Sequence, residues 1–405
     1  MVPHLKQPDV LHSMSTPPVL SHAFRICFLL AAIWAALAVP LWLMTYAGLF
    51  SLAESYGGVA WHAHELIFGY AALVICGFLF TAIPNWTGRL PVAGAPLVSL
   101  ILIWVLGRIA MLCAAKIGTT VAALVDLTFL AAVLAVAGRE IVAGKNWRNL
   151  RVLVIVFWLF VANAAFHAAV LSGTMLDISL RGAVGALVAL ITLIGGRLTP
   201  SFTRNWLVKR DPERLPAPFG PLDAIAIGTG VVALLAWVIA PDGRVTAALA
   251  ALAALLLIAR LVRWRGILTF AEPLLAILHF GYAFVPLGFA LAAGHALWPE
   301  TIPAATVIHA WTAGAVGVMT LAVMTRASLG HTGHALTAGP ATTSIYLAIL
   351  TAALLRVVAP FAAEWQHPLL NLSGAAWTLA FLLFVASYGP ILCTSRKKKR
   401  AEAAA

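Results

Sequence analysis

The chain has 405 residues, of which 62% are hydrophobic and 10% charged, against about 25% charged in an ordinary soluble domain, so a water-soluble fold is excluded. Its apolar segments run close to the ~20 residues that cross hydrocarbon instead of alternating over about ten, which excludes a β-barrel as well. The formal net charge of +12 falls in short connections between spans and not on one soluble face, so it reflects orientation in a membrane and no nucleic-acid partner.

In chain order the hydrophobic pattern predicts spans at 24–46, 62–84, 96–115, 119–138, 150–171, 180–197, 221–240, 245–263, 271–293, 303–325, 341–360 and 368–393. The fold expected is therefore an all-α polytopic membrane bundle of about twelve transmembrane helices, with a tail at 1–23, the membrane domain at 24–393 and a basic tail at 394–405. An even number of spans puts both termini on one side. Arg89, Arg139, Lys145, Arg148, Arg151, Arg197, Arg204, Lys209, Arg210, Arg214, Arg260, Arg263, Arg265 and Arg326, with the terminal run Arg396 to Arg400, mark that side as cytoplasmic, whereas the other side carries only Lys116, Arg181 and Arg244. The four cysteines, Cys27, Cys76, Cys113 and Cys393, show no paired spacing, so they read as inert thiols.

Ionisable groups inside spans are costly, and their depth is informative. Arg108 and Asp126 lie equally far from the connection between the third and fourth spans, so a hairpin brings them together as a structural ion pair. There are twelve histidines against fourteen carboxylates. His62 and His64 open the second span at the outer face, His167 closes the fifth about one turn below it, and His309 lies about two turns down the tenth. These four can converge at one level. His279 on the ninth span and His331, with His334, after the tenth can form an inner group. Neutral imidazole is the commonest metal and haem-iron ligand, and histidines on facing helices can clamp a haem. The alternative for any one of them is an interhelical hydrogen bond. His62 and His64 stand about 200° apart on a helix, so one of them points inward. Glu65 and Asn163 are local candidates to orient the imidazoles of His62 and His167. Arg197, Arg204, Arg326 and Arg356 are candidates for haem propionates, Arg356 alone near the outer group. Met319 and Met324 read as core, and His4, His12, His22, His295 and His367 as tail or loop histidines.

The string "WHAHELIFGYAALVICGFLFTAIPNWTGR" (Trp61 to Arg89) resembles the signature of the bacterial NnrS family, in which His-x-His-Glu leads to Pro-Asn-Trp-Thr-Gly. "GGRLTPSFTRNWL" (Gly195 to Leu207) and "HAWTAGAVGVMTLAVMTRASLGHTG" (His309 to Gly333) are similar to two further family segments, so the resemblance covers nearly the whole chain. It implies a multi-pass protein of the bacterial inner membrane containing haem b, in more than one copy, and copper. It also implies a role in nitric oxide metabolism and protection from nitrosative stress, with nitric oxide or nitrosylated iron as ligand and a haem/copper oxidoreductase activity as one possibility.

The family's histidines fall on His62, His64, His167, His279, His309 and His331; His334 stands where the family often has Arg. On this reading His64 and His309 are axial ligands of an outer haem, with His167 or His62 near copper or behind a ligand, and His279 and His331 serve the inner site. The competing readings are a haem-copper oxidase or nitric oxide reductase subunit, against which no adjacent His-His pair or His-Pro-Glu string is found, and a cofactor-free secondary transporter, which needs a midplane site.

Overall fold

The computed structural model describes residues 17–52 and 54–395. His4, His12 and the run Arg396 to Arg400 lie outside the described residues, as does most of each expected tail. Among the described residues, twelve helices are long and apolar enough to cross a membrane: α1 (Ala23–Tyr46), α2 (Gly58–Thr87), α3 (Ala95–Leu112), α4 (Thr119–Ala143), α5 (Trp147–Ser172), α6 (Leu176–Leu207), α7 (Pro221–Ile239), α8 (Arg244–Val262), α9 (Pro273–Leu297), α10 (Ala304–Thr332), α11 (Pro340–Phe361) and α12 (Ala363–Cys393). Most consecutive helices pack against each other, the pair α2 and α3 least, and α12 returns to pack along α1. One side of the bundle, the basic side, gathers the starts of the odd-numbered helices and most of the Lys and Arg side chains. Large apolar side chains such as Leu102, Leu106, Leu124, Phe157, Leu235 and Leu255 point outward, as expected where the surrounding solvent is lipid.

Several spans run longer than the hydropathy pattern predicts, α2, α6 and α10 most of all. In α6 and α10 the helix outlasts the apolar stretch and ends at Leu207 and Thr332, because backbone hydrogen bonding continues into polar sequence until a residue stops it. At α10 that residue is Gly333, in the left-handed region at φ 82° with its N–H on the Leu329 carbonyl. Arg197 and Arg204 therefore stand on the last turns of α6 and not in a loop, and His331 lies on α10 and not beyond it. The Pro-Asn-Trp-Thr-Gly segment is a helix stop of the same kind: Gly88 takes φ 70° and donates to Pro84 O at 2.9 Å.

The helices α2, α6 and α10, one in every four, each contain a π-helical segment, at Glu65–Ala71, Ile191–Gly195 and Ala310–Val318. These three and α9 are the most enclosed, with 61% to 72% of the apolar window buried against 33% to 50% elsewhere. A π turn frees carbonyls from the helical ladder, and inside a membrane they need other donors. Trp104 Nε1 reaches Gly69 O at 2.9 Å. The Arg260 guanidinium reaches Thr192 O and Gly196 O, both at 3.1 Å, while binding Asp223 at 2.9 Å and Tyr282 Oη at 2.6 Å. Arg260 is thus not a loop charge: it is 1% exposed and stitches α8 to α6, α7 and α9. A Cβ on Gly196 would lie 2.5 Å from its NH1, which is why the Gly-Gly pair suits this helix. Arg25 plays a similar part where α1 meets the end of α12, donating to Leu392 O at 2.8 Å and Thr394 O at 2.7 Å.

Candidate functional site

The outer histidines separate into two neighbouring sites, one on each side of α2. His62 and His64 are two residues apart in the first turns of α2, so their rings diverge around the helix. His62 turns toward α1 and α10, His64 toward α4 and α5. The expected convergence of the four at one level, with His64 and His309 as partners, gives way to two pairs: His62 with His309, and His64 with His167.

The first site is a cavity of about 530 Å³ bordered by α1, α2, α6, α10, α11 and α12, with side chains of α7 and α9 at its margin. Its walls are mostly apolar or aromatic. The polar groups facing it include His62, His309, Arg356 and Arg181. The His62 ring stacks on Trp42, with centroids 4.2 Å apart and planes 22° apart, and its Nδ1 is buried without a hydrogen-bond partner among the described residues. His309 Nδ1 lies 2.6 Å from Ala305 O, a contact in which Nδ1 donates and Nε2 keeps the lone pair. A volume of this order, largely apolar with a few convergent polar groups, is that of a cofactor or ligand site.

The second site is closed and ionic. Asp126 Oδ2 faces His64 Nε2 at 3.1 Å, His167 Nε2 at 3.1 Å and Asn163 Nδ2 at 2.8 Å. Asp126 Oδ1 accepts from Arg108, which also donates to Glu65 Oε2 at 2.6 Å. Glu65 Oε1 faces His64 Nδ1 at 3.0 Å. The expected Arg108–Asp126 pair is present, but it is one edge of a network with a second carboxylate. Glu65 serves His64, not His62, and Asn163 holds Asp126, not His167, because the divergence of the two imidazoles carries Glu65 to the inner side with His64. Every member is nearly sealed, Glu65 and His64 at 0% exposure and Asp126 at 2%.

Two carboxylates against one guanidinium leave one negative charge, which a proton on an imidazole or a bound cation would balance. The donor atoms of His64, Asp126 and His167 lie within 4.8 Å of one another, the group of three able to hold a metal ion among the described residues. Two imidazoles and a carboxylate suit zinc, copper, iron or nickel. Glu65 behind His64 is the carboxylate that fixes a ligating imidazole.

Tyr56, from the loop before α2, completes the set with Oη 3.0 Å from His167 Nδ1; burial and the nearby Asp126 and Glu65 carboxylates push its phenol up from the usual range, which keeps its O–H as a donor. Nothing in the local sequence marks Tyr56. Gly69, in the π segment, is required by close approach: a Cβ there would lie 2.9 Å from Arg108 NH1, Glu65 Oε2 and Trp34 Nε1.

The inner candidates meet different neighbours. His279 Nε2 is 2.9 Å from Thr203 Oγ1 of α6, and the backbone at Gly266 closes over its Nδ1, which has no hydrogen-bond partner among the described residues. His331 stands exposed on the last turn of α10 with its ring 5.3 Å from Phe24 of α1. Arg326 lies over the Phe202 ring at 4.1 Å, and Arg197 and Arg204 are exposed on α6. Of the four arginines, Arg356 alone borders the large cavity. Met319 and Met324 are buried in the core. Cys27 and Cys76, remote in sequence, are buried with sulfurs 4.0 Å apart.

Comparison with known families gives a match to the NnrS protein family model over residues 18–396. No curated protein matches the chain.

Proposed function

The chain belongs to the NnrS family, and from that premise we propose that it is a haem-binding membrane protein of nitric oxide metabolism, with haem held in the large cavity by His62 and His309. The observation that carries this reading is that imidazoles from α2 and α10 border one largely apolar cavity of about 530 Å³ together with the Arg356 guanidinium. The residues fit the group. His309 keeps its Nε2 lone pair by giving Nδ1–H to Ala305 O; His62 has a buried nitrogen that has no partner to lose among the described residues. Arg356 and Arg181 are the cations suited to propionates. Haem iron held there would bind a diatomic ligand such as nitric oxide where one of the two imidazoles yields its place. The protein's own part is to orient the two rings, the Trp42 stack for one and the Ala305 carbonyl for the other, and to exclude water with aromatic walls.

The copper that the resemblance implies fits the His64, Asp126 and His167 group. That site can take a divalent cation because its own charges leave one negative unit and because Glu65 backs the His64 ring. Its separation from the cavity by a single turn of α2 gives two centres in one protein, and His279 and His331 are left to a further haem on the basic side. The positive-inside pattern supports cytoplasmic termini in a bacterial inner membrane.

The test is haem content by pyridine haemochrome, with the Soret spectrum, on purified wild type, His62→Ala and His309→Ala, followed by nitric oxide titration. Loss of most haem or a shifted Soret band in each variant is expected. Unchanged content and spectrum in both overturns the assignment, and a colourless wild type loaded with haem in culture overturns the function.

A further inference from the structure

A second, smaller cavity of about 90 Å³ lies below the large one. The large cavity reaches Tyr70 on α2, Leu187 on α6 and Val316 on α10; the small one begins at Val74, Leu190 and Met319 of the same helices. The members of each pair are three or four residues apart, about one turn or 5 Å, and all three helices run in the same direction. The two spaces are therefore stacked on one axis. Tyr70, which borders the large cavity, and Thr320, which lines the small one, are joined by a hydrogen bond, Tyr70 Oη to Thr320 Oγ1 at 2.5 Å. Thr320 gives its own hydrogen to the Val316 carbonyl at 2.6 Å, so the phenol is the donor and both hydroxyls are satisfied by this closed arrangement.

The small cavity has no use for water. Thr320 carries the one side-chain hydroxyl among its lining groups, and that hydroxyl is already engaged. A water molecule needs two to four polar partners, and an apolar cavity of about 150 Å³ stays dry and takes benzene or xenon. A smaller space of the same chemistry suits a monatomic or diatomic apolar guest. Ile75, Phe78, Ile191 and Ile194 on its rim are half-buried and lie at hydrocarbon depth, so the space opens to lipid, where apolar gases dissolve better than in water.

We propose that the lower cavity is a binding site for a small apolar gas molecule, and that it forms with the Tyr70–Thr320 contact a gated passage from the bilayer to the large cavity. The gas site stands on the cavity alone; only the destination of the passage rests on the haem reading.

The site is tested with xenon on the full-length protein in micelles, by pressurised crystals or ¹²⁹Xe resonance. Bound xenon is expected in the wild type, and loss of it in both Ile194→Trp and Val323→Phe, two fillings from different helices so that misfolding of one leaves the other. No xenon in the wild type, an acyl chain in its place, or binding that survives both fillings overturns the site. The passage is tested in haem-loaded protein by carbon monoxide recombination after photolysis: slowed severalfold by either filling, quickened by Tyr70→Phe, with unchanged rates in all three overturning it. A wild type that holds xenon but no haem leaves the gas site standing and removes the haem reading.

Discussion

His62 and His64 face opposite sides of the same helical turn, and the two environments differ in nearly every physical respect. Around His64 the groups are sealed, charged and mutually bonded; around His62 they border open space, and one ring nitrogen has no hydrogen-bond partner among the described residues. A sealed ionic cluster holds its members by their dependence on one another, since removing one leaves the rest charged in a low dielectric. A cavity-lining imidazole is held by ring stacking, as His62 is on Trp42, or by one backbone contact, as His309 is at Ala305, and stays available to a guest. The first arrangement makes a frame and a cation site; the second makes a place for a large cofactor.

This contrast is broken most severely at Asp126. Asp126→Ala leaves Arg108 and two imidazoles facing a gap, and is expected to cost about 3–5 kcal/mol, seen as loss of folded, monodisperse protein. His62→Ala and His309→Ala, by contrast, are expected to change the unfolding midpoint of haem-free protein by no more than about 1 kcal/mol equivalent. Because Glu65 shares Arg108, the double variant Arg108→Met with Asp126→Leu stays destabilised, and adding Glu65→Gln recovers folded yield. Full recovery in the double variant would show that Glu65 is not a member of the network.

The next largest effect sharpens the contrast through volume. Gly69→Ala places a methyl group 2.9 Å from Arg108, Glu65 and Trp34, and is expected to cost about 1–3 kcal/mol in detergent unfolding. Ala313→Val grows instead into the large cavity; its stability change is expected within about 0.5 kcal/mol, with haem retention lowered. Equal destabilisation by the two would mean that the cavity is as tightly packed as the cluster.

What the sequence conveyed follows the same division. Twelve spans were readable because hydrophobicity over about twenty residues is a strong signal, and Arg108 with Asp126 because one short connection fixes their depth. Depth along a helix, however, does not give direction around it. That is why His62, His64, His167 and His309 were placed at one level but paired differently from the packing, and why Glu65 was matched to the wrong ring. Helix ends beyond the hydrocarbon were also out of reach: hydropathy marks where the membrane stops, not where Arg204 or His331 leave the helix. Cys27 and Cys76 meet through the packing of α1 on α2, which no spacing encodes.

The smallest expected effect lies at the edge of the cluster, where the loop before α2 touches it. Tyr56→Phe removes one hydroxyl, 3.0 Å from His167 Nδ1, and leaves the ring's stacking on Phe166, with centroids 6.1 Å apart, in place. A single neutral hydrogen bond contributes about 0.5–1.5 kcal/mol, so the unfolding midpoint should fall slightly with folded yield unchanged. The informative readout is the imidazole itself. If Tyr56 donates to Nδ1, its loss frees His167 to exchange tautomers, and the ¹⁵N shifts of that ring should move toward the average of the two neutral forms. Unmoved shifts would mean that Asp126 alone fixes the His167 ring, and that the loop covers the cluster without taking part in it.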